Sequence, residues 1–154
     1  MSIIAQNRKA RYEYTILQEY DAGIVLAGTE IKSLRQGRAS ITEGYVAVDK
    51  NSEVWAYNIN IPIYKQSSNY FNHQPDRKRK LLLTKKEINK LAGSVKEKGL
   101  TIVPLSLYMG SKGFAKLKIA LAKGKKLYDK RETIKKRDIL KEQRFLLKNK
   151  EKTI

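Results

Sequence analysis

Residues 100–122 read LTIVPLSLYMGSKGFAKLKIALA, two apolar runs on either side of the turn signal GSKG. In the second run Leu117, Ile119 and Leu121 alternate with Lys116, Lys118 and Ala120, the period of a strand with one face in a core. The first run is rich in β-branched and large apolar side chains and offers Val103, Leu105 and Leu107 as facing residues, so the two are predicted to form a β-hairpin. Pro104 has no N–H to give to a ladder and marks an edge or a bulge.

Working outward from this hairpin, residues 85–98 carry a strong helix signal. Thr84 and Glu87 make a capping box, Ile88, Leu91, Ala92 and Val95 recur at helical spacing, and Gly99 ends the run. Residues 41–48 and 54–59 are rich in Val, Ile and aromatics around the turn DKNSE, which predicts a second hairpin with Trp55 packed on the sheet. Residues 60–75 contain two prolines and many side chains that compete for backbone hydrogen bonds, and read as a long surface loop. Residues 11–20 alternate as a half-buried strand that the DAG at 21–23 bends before Ile24, Val25 and Leu26. TEIKSLRQ, between Gly28 and Gly37, fits a short helix with Thr29 as its cap. Residues 1–10 are a polar, basic lead-in with little apolar area to order them. The predicted fold is mainly β with short helices: an OB-like antiparallel barrel of about six strands over residues 11–122, with a basic C-terminal tail over residues 123–154.

Charge narrows the function. Of 154 residues, 33 are Lys or Arg and 15 are Asp or Glu, a net charge of +18, so the folded chain repels itself and a polyanion relieves the repulsion. Nucleic acid is the leading partner; an anionic membrane surface would need a basic helix with a strong apolar face, which only the tail has the length to supply. No cysteine is present, no apolar run approaches the roughly 20 residues of a membrane span, and no apolar segment follows a basic start. A soluble, cytoplasmic protein is expected, monomeric when free. The basic side chains gather in three clusters, at residues 8–11, 77–80 and 123–137, a pattern expected to mark RNA contact rather than solvation alone. The tail holds 13 basic and 5 acidic side chains with a short, broken apolar stripe, and by itself buries too little to repay the entropy of ordering. Tyr128 stands alone among charges in KKLYDKR, placed either to stack on a base or to pack at the end of the barrel.

Catalysis finds little footing. His73 is the single histidine, no thiol is available, and no acid pair sits in a recognisable motif, so no enzyme activity, metal or cofactor is expected. His73 itself reads as a loop residue that caps a turn or touches RNA. AGTEIKSLRQG lacks the Gly-Lys-Ser/Thr ending of a phosphate-binding loop.

Four segments in this order and at this spacing, GTEIKSLRQG, NHQPDRKRKLLL, GLTIVPLSLY and AKGKKLYDKRETIKKRD, resemble the small protein B (SmpB) family, which partners transfer-messenger RNA (tmRNA) in bacteria. The resemblance runs from about Asn7 into the tail. It implies an OB-like barrel that binds the tRNA-like domain of tmRNA and stands in for its missing anticodon arm. It also implies a tail, unstructured in the free protein, that enters the empty decoding region and mRNA channel of a stalled ribosome and folds there as a helix, without catalysing anything. Carried over by motif, the tmRNA-facing residues would be Asn7 in NRKAR, Asp21 in YDAG, where many members of the family have glutamate, and Lys123, Gly124, Lys125 and Lys126 in AKGKK. The ribosome-facing residues would be Tyr128, Asp129, Lys130, Arg131, Lys135, Lys136 and Arg137, with Tyr128 now tilted toward stacking on a ribosomal base. A ribosomal or rRNA-binding OB protein without tmRNA specificity, and a single-strand or nucleoid DNA binder, are the other readings that composition admits.

Overall fold

The alternation of residues 115–121 is the wall of a closed barrel. In a computed structural model of the chain, residues 2–67 and 72–124 are described. The elements in chain order are β1 (Ser2–Gln6), α1 (Arg8–Glu13), β2 (Tyr14–Ile24), α2 (Gly28–Arg35), β3 (Tyr45–Val48), β4 (Val54–Tyr57), β5 (Arg79–Leu82), α3 (Lys85–Lys98), β6 (Thr101–Met109) and β7 (Ala115–Gly124). All pairings are antiparallel, and β6–β3–β4–β5–β2–β7 closes on itself because β7 also pairs with β6. Six strands thus form an OB-like ring. β1 lies on the same edge of β6 as β3, opposite Ser106–Met109, where β3 has already diverged.

The interior of the ring is filled by Ala22, Ile24, Val46, Val54, Ala56, Ile102, Leu107, Leu117 and Ile119, with Leu34 of α2 and Leu91 of α3 joining the same cluster. The β6–β7 hairpin forms as its sequence predicts, but its first strand does not keep one face inward. A register shift between Pro104 and Ser106 turns Val103 and Leu105 outward, where they pack with Ala120, Ala122 and Ala10 of α1 in a second cluster. Helix α1 therefore covers part of the barrel's outer wall.

Two strands were not apparent in the sequence. Ser2–Gln6, within the segment read as a lead-in, pairs along β6, and residues 11–13, read as strand, complete α1. β5 escaped notice because its pattern is Arg-Lys-Leu-Leu, with one of its two inward positions occupied by Arg79 and only the other, Leu81, apolar. Helix α3 is capped as expected: Thr84 Oγ1 accepts from the Glu87 N–H, the Thr84 N–H donates to Glu87 Oε1, and Gly99 closes the helix at φ 63°. Helix α2 uses a different device from the one expected. Its cap position is Ala27, whose N–H donates to the carboxylate of Glu30 at 2.8 Å, while Thr29 turns its hydroxyl to His73. The segment read as a surface loop begins inside the protein: Ile61 is fully buried, and Asn60 bridges to Ser40.

Candidate nucleic-acid interface

The outer face of the β6–β7–β2 ribbon carries the charged residues that the inner face excludes. With Leu117 and Ile119 inward, Lys116 and Lys118 must point out. Asp21 is opposite Lys118 in β2, and Tyr108 is opposite Lys116 in β6. The Tyr108 hydroxyl reaches over β7 and donates to Asp21 Oδ1 at 2.7 Å. Burial first, then the bond and the charge of Asp21, push the Tyr108 phenol up to about 12. The hydroxyl therefore stays protonated, and Asp21 is held at one oxygen.

Asn7 is buried, and its side chain is committed within the protein. Its Nδ2 donates to the Pro104 carbonyl at 3.0 Å, its Oδ1 accepts from the Ala10 N–H at 3.3 Å as the cap of α1, and its own N–H donates to the Leu105 carbonyl at 2.8 Å. It fastens α1 to the bulge of β6 and so sets the position of Arg8 and Arg11. Those two arginines and Lys118 line one hollow of about 340 Å³, which brings the N-terminal basic cluster onto the same wall as Asp21. Arg11 also meets Glu19 at 2.7 Å.

Lys123 and Gly124 end β7, opposite Thr15 and Tyr14. Lys123 lies five steps along the strand from Lys118, about 16 Å, so Asp21 and Lys123 share a ribbon without sharing a contact point. Lys125, Lys126, Tyr128, Asp129, Lys130, Arg131, Lys135, Lys136 and Arg137 lie outside the described residues.

The cluster at residues 77–80 is not the free basic patch its composition suggests. Arg79 is wholly buried; it pairs with Glu30 and donates to the Ile59 carbonyl at 2.6 Å and the Pro75 carbonyl at 3.0 Å. Arg77 donates through Nε to the other oxygen of Glu30 at 3.1 Å. Burial alone would push the Glu30 carboxyl up, but the bonds from Arg77 and the Ala27 N–H and the charge of Arg79 outweigh it and hold it below its ordinary value. Lys78 lies 4.5 Å from the centroid of the Trp55 ring, and Lys80 is 3.6 Å from Glu53. The arginines are spent on joining α2 to β5.

His73 binds within the same region. Its Nε2 lies 2.7 Å from the Ile61 carbonyl, so that nitrogen carries a proton, and Nδ1 shares a hydrogen bond of 2.9 Å with the Thr29 hydroxyl. Among the described residues no cluster of three or more His, Asp or Glu side chains is arranged to hold a metal, and no helix is long and apolar enough to cross a membrane.

Sequence reasoning missed Tyr108 and Phe114. Tyr108 reads as one more apolar strand position, and only its register opposite Lys116 shows that it reaches Asp21. Phe114 borders the GSKG turn, and at 71% exposure it is the most exposed large apolar side chain among the described residues.

A closed OB-like barrel whose outer wall carries lysines beside a held carboxylate, and arginines along the same wall, defines a protein of the nucleic-acid-binding class. Residues 4–149 match the SmpB protein family. The SsrA-binding protein of Wolbachia sp. subsp. Drosophila simulans (strain wRi) is 58% identical over 149 residues, covering 97% of this chain and 99% of the relative. That of Anaplasma phagocytophilum (strain HZ) is 57% identical over 138 residues, and that of Allorhizobium ampelinum 55% over 146, covering 90% and 95% of this chain and 91% of each relative. A solved structure described as "tmRNA-SmpB: a journey to the center of the bacterial ribosome" superposes with a TM-score of 0.65 at 46% identity, over 79% of this chain and 84% of the other. The chain belongs to the SmpB family.

Proposed function

We propose that this protein binds tmRNA and delivers it to stalled ribosomes for trans-translation, as a non-catalytic, cytoplasmic adaptor. The observation that carries the reading is the β6–β7–β2 wall, where Lys116 and Lys118 flank a carboxylate already held by a tyrosine and Arg8 lines a hollow with Lys118, in a chain whose relatives are SsrA-binding proteins. Lysine and arginine supply attraction that no sequence can escape, and the shape and held acceptors of the wall select the tRNA-like fold. Asp21 meets the RNA directly, Lys123, Gly124, Lys125 and Lys126 extend that contact to the end of β7, and Asn7 serves by fixing α1 beneath it.

The barrel, with residues 2–124, does the selecting, and the residues beyond Lys126 act as the probe of the ribosome. Tyr128, Asp129, Lys130, Arg131, Lys135, Lys136 and Arg137 enter a decoding region and mRNA channel empty of message. Ordering such a segment costs roughly 1 to 2 kcal/mol of backbone entropy per residue, which only a dense set of phosphate contacts offsets.

The test is a gel shift at near-physiological salt on the tRNA-like half of tmRNA, with bulk tRNA and single-stranded DNA as competitors, for the full chain and a chain ending at Lys126. Both forms should prefer the tRNA-like RNA, and only the full chain should support tagging on stalled ribosomes. Equal competition by bulk tRNA or DNA overturns the reading. Binding to ribosomes with no preference for the tRNA-like RNA would instead mark an rRNA-binding protein.

A further inference from the structure

We propose that the cleft between Asp21 and Phe114, at the turn joining β6 to β7, receives one unstacked nucleobase of the bound RNA, stacked on the Phe114 ring and read through its amino group by Asp21. The proposal rests on the RNA-binding reading and adds to it a base-specific subsite.

The cleft measures about 370 Å³, and Tyr108, Lys112 and Lys116 line it together with those two residues. Phe114 is not exposed by a loose loop. The Gly110 N–H donates to the Phe114 carbonyl at 2.8 Å, the Gly113 N–H donates to the Gly110 carbonyl at 3.0 Å, and Gly113 takes φ +79°, a conformation that suits glycine. Ala115, the next residue, is buried, so strand alternation fixes Phe114 on the outside. A ring held in water on a short frame, in a chain of net charge +18, is a platform for a flat, apolar face attached to phosphates.

Asp21 supplies the selectivity. Its Oδ1 accepts from Tyr108, and among the described residues no second hydrogen bond and no ion pair reaches the carboxylate. A negative group on an RNA-facing wall is tolerated only where it accepts N–H or O–H donors. Guanine presents N1–H and an N2 amino group side by side, matching the free Oδ2 and the remaining lone pair of Oδ1. Adenine and cytosine present one amino group each. Uracil presents a single N3–H between two carbonyl oxygens, which the carboxylate repels. Lys112 and Lys116 are placed to meet the phosphates on either side of the extruded nucleotide.

Two experiments on the full chain decide it. In gel shifts on the tRNA-like RNA across a salt series, Phe114→Leu should weaken binding by about tenfold, the scale of a lost base–aromatic stack, with the salt slope unchanged because no phosphate contact is removed. Phe114→Trp should restore it. In an amide NMR titration, GMP should shift the resonances of residues 110–114 and UMP should not. If wild-type protein selects the tRNA-like RNA while Phe114→Leu binds within twofold of it and GMP moves nothing, the subsite is wrong and the RNA reading stands. The same result accompanied by weakened ribosome binding in Phe114→Leu would assign the ring to a ribosome contact and also overturn the subsite. If wild-type protein shows no preference for the tRNA-like RNA, the wider reading falls, and GMP-specific shifts at the turn still decide the subsite.

Discussion

The hydroxyl of Tyr108 donates to Asp21 across an intervening strand: the two residues sit on β6 and β2, and β7 runs between them. A phenol held protonated above its ordinary value of 10 contributes stability that is complete below about pH 10 and is lost as pH rises toward about 12. In an absorbance titration of phenolate formation, Tyr108→Phe should remove one late-ionising tyrosine. Asp21→Asn should move that ionisation to lower pH, since the amide still accepts the bond but no longer repels the phenolate. Loss of an ordinary tyrosine ionisation near pH 10 in Tyr108→Phe, with no change in Asp21→Asn, would show that the bond does not form in solution.

Glu30 is buried between two arginines, and its carboxyl is held below the ordinary 4.5. Its contribution is present above about pH 4.5 and disappears as pH falls through the lower folded-state value. Glu30→Gln leaves the buried Arg79 without its counter-charge and should cost about 3 to 5 kcal/mol. Urea denaturation between pH 3 and 7 checks both statements: the wild type should lose stability on the acid side, and the variant should start lower and change less.

The Tyr20 hydroxyl is buried without a partner among the described residues, and burial, then the charge of Glu87, push its phenol up. Tyr20→Phe removes a buried hydroxyl to which no described residue offers a hydrogen-bond partner. It should leave the melting temperature unchanged or raise it, by about 1 kcal/mol of stability at most. A lowered melting temperature would reveal a partner for the hydroxyl.

Two glycines should respond in opposite directions to alanine. A Cβ on Gly44 would meet the Ile41 carbonyl oxygen at 3.1 Å, Ile59 Cγ1 at 3.1 Å and Pro104 Cγ at 3.3 Å, so Gly44→Ala should cost about 1 to 3 kcal/mol. Gly93 lies inside α3 with nothing within 4 Å of an added Cβ, and Gly93→Ala should gain about 0.5 to 1 kcal/mol. Thermal unfolding of the pair tests whether the bulge at Pro104 is as closely packed as these distances require.

What the sequence carried of this fold was its periodicity. Leu117, Ile119 and Leu121 alternate without interruption, and Thr84, Glu87 and Gly99 bracket a helix, so β7 and α3 appear where local pattern places them. β5 was hidden because a buried arginine occupies one of its two inward positions, and a buried arginine is legible only once its partner Glu30, 49 residues earlier, is in view. The basic run at residues 77–80 misled for the same reason. β1 was hidden because its five residues pair with β6 about a hundred residues later, a match no local signal announces. At the interface, Asp21 was found through a motif, while Tyr108 and Phe114 acquire meaning only from strand register and from the turn that exposes the ring.

The pairing of β7 on both sides has a mechanical consequence. Gly124 is bonded in register with Tyr14, and the strand it ends is bound to β2 along Tyr14–Gly23 and to β6 along Thr101–Met109. A tension applied to the chain beyond Gly124 and directed along β7 is carried in shear by two ladders at once, so no single hydrogen bond bears it alone. The barrel can serve as an anchor for the chain that follows it.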